Sequence, residues 1–130
     1  MSLLCSVGRA KNRYRLFPLS FIITSSKGCK MKCRDYILQG HLPVLEQDLI
    51  AWAIWFENAD RTVCKIRKRG VKVSTVFLAI DHSFEEGDPL LFETMVFGGK
   101  HDGLQRRCST WEQAASQHLD VCREVFGNHF

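Results

Sequence analysis

Five residues in the middle of this chain are of types that move protons or hold metal ions: Asp81, His82, Glu93, His101 and Asp102. A histidine beside a carboxylate can act as a general acid–base pair, and such clusters also ligate divalent cations. Spacing decides whether they converge. Asp81–His82 and His101–Asp102 are sequence neighbours, and neighbours on a strand point to opposite faces. The stretch VSTVFLAIDHSFEEGDPLLFETMVFGG, residues 73 to 99, reads as two strands about an acidic loop. If 76–81 pairs antiparallel with 90–95, Glu93 lies mid-strand opposite Phe77 to Ala79, and not opposite Asp81. Asp81 and Asp102 then mark turns, and Glu93 sits on a half-exposed face. These five are the candidate catalytic residues, and the pattern predicts that they do not converge on their own.

A second chemistry is carried by KIRKRGVK, which holds Lys65, Arg67, Lys68, Arg69 and Lys72. A basic hairpin can track phosphates. No aromatic residue is interleaved within it to stack on a base, and a charged edge hairpin that resists sheet aggregation accounts for the same bases. Lys65, Arg67 and Arg69 are candidate binding residues, with nucleic acid a possible but not favoured ligand. Trp55 joins them, because it falls off the main apolar face of its helix and, if exposed, would mark a partner surface. Cys29 and Cys33 have a C-x3-C spacing, but no partner pair follows, so no metal site and no cofactor are expected. Cys64 and Cys122 fall on apolar patterns and read as small core residues. His118 lies on an apolar stripe and reads as a packed, hydrogen-bonded histidine.

The elements that must position these residues follow from periodicity. RDYILQG is a short strand ending at Gly40, with His41 to Pro43 as a connector. VLEQDLIAWAIWFENADR reads as a helix with Leu45, Leu49, Trp52 and Phe56 on one face and acidic residues in its first turn. Thr62 to Arg67 alternates, Lys68 to Gly70 turns, and Val71 onward is a strand apolar on both sides, as a central strand would be. Leu90 to Phe97 is the next strand, and Leu104 to Cys108 a short edge strand. Ser109 and Glu112 form a capping box, and a last helix from about Thr110 to Phe126 stops at Gly127. The sum is an α+β domain: an antiparallel sheet of three or four strands with two helices packed on one face.

Composition sets further bounds. The 130 residues are 45% hydrophobic and 25% charged, the balance of a globular domain with no membrane-spanning run. The formal charge of +4 is unevenly spread. Residues 1 to 33 carry seven bases and no acid; the remaining 11 bases face all 14 acids. The net-acidic body argues against a body built for nucleic acid. The six cysteines show no secreted disulfide framework, which points to reduced thiols and the cytoplasm. Residues 1–30 form a basic leader. They imitate an export signal, but the apolar run is short, Pro18 breaks it, and no A-x-A-like site follows. The leader reads as an upstream extension from a misplaced start, or as a disordered basic arm, with residues 31–130 as the single domain and Met31 as its natural first residue.

WAIWFENADRTV, VSTVFLAIDHSF, PLLFETMVFGGKHDG and STWEQAASQH, in this order, resemble a family of small uncharacterised proteins of tailed phages and prophages. The resemblance covers about residues 34 to 125. The family has Tyr where this chain has Cys108, which removes tyrosine chemistry there, and usually Gly where this chain has Ala79. The resemblance implies an accessory protein acting in the bacterial host cytoplasm, and implies no particular activity. The sequence therefore favours a non-catalytic binding or host-interaction module, whose partner is a host or phage macromolecule or a small ligand. A small hydrolase or nuclease using the Asp/His/Glu residues is the alternative, and a nucleic-acid binder through residues 65–72 is a second. Convergence of His82, Glu93 and His101 in one cleft would favour the enzyme.

Overall fold

The computed structural model describes residues 34–129, which all lie within one compact unit. The leader, Met31 and the Cys29/Cys33 pair lie outside the described residues. Six strands and two helices follow in order: β1 (Tyr36–Gln39), β2 (Leu42–Leu45), α1 (Leu49–Asn58), β3 (Thr62–Lys68), β4 (Val71–Phe77), β5 (Phe92–Phe97), β6 (Gln105–Cys108) and α2 (Trp111–Phe126). The fold is α+β, with a β1–β2 hairpin and a four-stranded antiparallel sheet in the order β3-β4-β5-β6.

Alternation along the strands sorts the sheet into two faces. Val73 pairs with Val96, Thr75 with Thr94 and Phe77 with Phe92. This face takes α2, whose Val121 and Cys122 complete a core with Val73 and Val96. Phe77, Phe92, Val73 and Val96 are fully buried, each worth about 1.5–3 kcal/mol in removed apolar surface. At the far end of this face Trp55 of α1 meets Phe77 edge-on at 5.9 Å, and Trp111 meets Phe92 at 6.2 Å.

Three local expectations are corrected. The connector after Gly40 is a strand: Gly40, at φ 64, lets the chain reverse, and Leu38 and Pro43 pair across the hairpin. α1 is therefore shorter than the pattern suggested. Asp48 is its cap and not a first-turn residue, its Oδ1 accepting from the N–H groups of Ile50 and Ala51. The buried contact of α1 is Trp52, whose Nε1 donates to the carbonyls of Tyr36 and Ala79. Leu45 and Leu49, expected on the buried stripe, are exposed, as are Ile50 and Ile54. The capping box of α2 lies one residue on from the expected place: Thr110 accepts from the Gln113 N–H, and the Gln113 side chain accepts from the Thr110 N–H. Thr110 has the extended φ/ψ of a cap, and Gly127 ends the helix at φ 82.

Among the described residues, two that are not glycine have left-handed backbone, Arg69 at φ 53 and Ala79 at φ 65. Ala79 thus holds a conformation that glycine adopts without steric penalty. Arg69 and Gly70 form a two-residue hairpin loop with both φ positive, the type I′ geometry that matches strand twist. The β5–β6 turn closes against it. A Cβ on Gly98 would stand 2.9 Å from the Gly70 carbonyl oxygen, and one on Gly99 would stand 2.6 Å from a Val71 methyl.

Candidate functional site

The register divides the candidate catalytic residues between the two ends of β5. Asp81, in the loop after β4, is a staple. Its Oδ1 accepts from the Ser83 and Leu90 N–H groups and its Oδ2 from the Ser83 hydroxyl, all within 2.9 Å. Burial alone would raise this carboxyl, but the Ser83 and Leu90 hydrogen bonds and the Arg34 charge hold it below its ordinary value. Asp102 caps the opposite turn by accepting from the Gly98 N–H at 2.7 Å. His101 lies in that same turn, four residues beyond the end of β5. It is thus separated from Glu93 by most of a strand, on the order of 15 Å. Both aspartates mark turns, as the sequence indicates.

Glu93 departs from expectation in two respects. Its β4 partner is Val76, not a residue of 77–79, and it is buried, only 3% exposed. What buries it usefully is β6. Arg107 stands opposite in register and donates from Nε to Glu93 Oε2 at 2.9 Å, and Gln105 Nε2 donates to the same oxygen. The carboxylate is committed to a salt bridge whose arginine is itself largely covered. His82 lies within electrostatic reach of this pair. Burial lowers its pKa, the Arg107 charge lowers it further, and Glu93 and Asp81 oppose the shift. Glu93 is thereby held by Arg107 and Gln105 and is not a free carboxylate base beside His82. Among the described residues no His, Cys, Asp or Glu group is arranged to hold a metal ion.

An open groove of about 510 Å³ runs between β6 and α2. Its charges are spoken for: Arg106 pairs with Glu124 at 2.5 Å, and Asp120 with Arg123 at 3.1 Å. Burial pushes the Cys108 thiol in its wall up to about 11, which leaves it protonated and unreactive at neutral pH.

The basic hairpin looks different. Lys65 and Arg67, two apart on β3, point to the sheet face opposite α2. There Arg67 pairs across with Lys72, and Lys72 with Phe97, so Arg67, Lys72 and Phe97 form one row across three strands. The Lys72 ammonium lies 4.2 Å from the centre of the Phe97 ring. Burial, then the charges of Lys65 and Arg67, lower the pKa of Lys72. Lys65, Arg67 and Arg69 are exposed. None of these four cations has a carboxylate within ion-pair distance among the described residues. The two-residue spacing of Lys65 and Arg67 is visible in the sequence. The aromatic neighbour is not, because Phe97 comes from 25 positions further along. Trp55, by contrast, is half-buried, with its ring edge-on to Phe77.

No helix among the described residues is long and apolar enough to cross a membrane. Comparison with protein-family models, with curated proteins and with solved structures finds no match.

Proposed function

We propose that this chain is a non-catalytic binding module, a phage- or prophage-borne accessory protein of the bacterial cytoplasm, and that it meets an anionic partner through the outer face of β3 and β4. The resemblance of residues 34–125 to phage proteins supports the setting. One observation carries the surface: Arg67 stands directly opposite Lys72 with no carboxylate near either among the described residues. Like charges paired across strands destabilise a sheet, and an anionic partner removes that repulsion. The hydrolase alternative requires convergence of His82, Glu93 and His101. The separation of His101 from Glu93 and the commitment of Glu93 to Arg107 speak against it.

The test is retention on an immobilised polyanion such as heparin, compared between the full chain and its Lys65→Glu/Arg67→Glu variant. The reading expects elution of the variant at clearly lower salt than its change in net charge produces when two exposed lysines or arginines elsewhere are reversed. Equal shifts for both double reversals would overturn it. So would a hydrolytic turnover abolished by Glu93→Gln.

A further inference from the structure

We infer that the anionic partner of this face is single-stranded nucleic acid, with a base stacked on Phe97 and the backbone lying along Lys65, Arg67 and Lys72. This inference rests on the proposed role of the β3–β4 face and adds the chemistry of the ligand.

Three features lead to it. The first is where the cations sit. Charged residues on an edge strand blunt aggregation, which accounts for Lys65 and Arg67 on β3. It does not account for Lys72, which lies on the interior strand β4 between β3 and β5. The second is the cost that these residues carry. Arg67 faces Lys72 in register, and Arg69 holds a left-handed backbone at φ 53, where asparagine or glycine is favoured. The hairpin keeps cations where neutral residues would fold better.

The third feature is the ring. Phe97 stands in register beside Lys72 with the ammonium over its face. Aromatic rings beside a basic groove are what sequence-tolerant single-strand binding uses, since every base has a π-face. The Lys72 ammonium sits on a flexible stem, so it can move from the ring to a phosphate oxygen as a base takes its place. A duplex keeps its bases stacked inside and offers nothing to a ring on a sheet face. An acidic protein surface would use the cations and leave the ring idle. A strand-built face with bases two residues apart, roughly 7 Å, suits an extended backbone.

The experiment measures fluorescence anisotropy of the full 130-residue chain with a labelled oligothymidylate of about 12 nucleotides. A duplex of the same length and heparin serve as competitors. Variants are compared with the parent chain, so that the bases of residues 1–33 cancel. Lys65→Ala/Arg67→Ala is expected to reduce the slope of log K against log salt by roughly 1.4, since single strands give about 0.7 per phosphate neutralised. Phe97→Leu is expected to weaken oligothymidylate binding roughly tenfold while leaving heparin binding unchanged. Phe97→Trp guards against loss of folding: it keeps a ring and is expected to restore or tighten single-strand binding. If Phe97→Leu and Phe97→Trp bind oligothymidylate as the parent does, while the double alanine variant loses affinity for every polyanion equally, the nucleic-acid inference fails and the anionic face stands. If the double alanine variant changes neither slope nor affinity, both fail together.

Discussion

Acid should unfold this protein through one histidine. His118, on α2, is 3% exposed against the sheet. Its Nδ1 lies 2.8 Å from Thr75 Oγ1, which lies 2.7 Å from Thr94 Oγ1, which accepts from Gln117 Nε2 at 3.0 Å. The Gln117 amide can only donate. One consistent direction therefore runs from Gln117 to Thr94, from Thr94 to Thr75, and from Thr75 to an unprotonated Nδ1. A second proton on the ring would reverse this chain at a site where, among the described residues, no carboxylate pairs with the charge. The groups that face it from the sheet are the hydroxyls of Thr75 and Thr94, and one turn further along α2 the Cys122 thiol is pushed up to about 11, by burial first and then by Cys64. Burial lowers the His118 pKa from 6.5 to about 4. The unfolded chain thus takes up a proton below pH 6.5 that the folded chain refuses until about pH 4. Stability is full above 6.5, falls as pH falls through that window, and has lost the whole contribution below it. At about 1.4 kcal/mol per unit, the loss is on the order of 3 kcal/mol. Urea unfolding at several pH values between 7.5 and 4.5 measures it. His118→Asn, which keeps an acceptor for Thr75 and cannot titrate, provides the reference slope. The variant retains the smaller acid dependence contributed by His82, whose pKa is also lowered. Parallel stability curves for His118→Asn and the parent over this range would refute the reasoning.

Two further outcomes follow from the hairpin and from the buried ion pair. Arg69→Asn should raise stability by about 1 kcal/mol, because asparagine enters the left-handed region at less cost, and should raise the melting temperature by about 5 °C in calorimetry; an unchanged or lower value would mean that Arg69 makes a stabilising contact. Arg107→Leu should cost about 2–3 kcal/mol in urea unfolding, since it strands the Glu93 carboxylate with Gln105 alone and Arg107 is partly exposed. Adding Glu93→Gln to Arg107→Leu should recover most of that loss, and no recovery would show that packing of the arginine stem, not charge, was lost.

How much of this was legible in the chain depends on how far apart the determinants lie. β3 announces itself by alternation, β4 and β5 by apolar runs, and all three by Gly70 and Gly98–Gly99, which are local signals. α2 is legible for the same reason, with its cap misplaced by one residue because Ser109 and Thr110 both offer a hydroxyl and only backbone geometry chooses between them. β2 was not legible: Leu42 and Pro43 read as a connector, Val44 and Leu45 continue smoothly into an apolar helical pattern, and the choice falls to the Asp48 cap and to the pairing with β1. Trp55 falls off a stripe that runs through Leu45 and Leu49, two residues that the shorter helix leaves exposed. The burial of Glu93 was illegible for a different reason. A lone acid inside an apolar strand looks half-exposed until β6 supplies Arg107 and Gln105.

The same register bears differently on the two chemistries that the sequence holds open. Both involve charged groups on the sheet face opposite α2, separated by one intervening row of side chains. In the row containing Glu93, the fold brings up the complementary charge and consumes it; the carboxylate that a hydrolase would need as a base is held by an arginine and an amide. In the row containing Lys72, the fold brings up a like charge and an aromatic ring. A protein that only needed to fold could have matched Arg67 with a glutamate at position 72, at the register where Glu93 shows that such matching is available to this sheet. Unmatched charge is what a partner would compensate, and that is the ground on which the basic hairpin and its neighbouring phenylalanine, and not the Asp–His pair, are proposed as the binding surface.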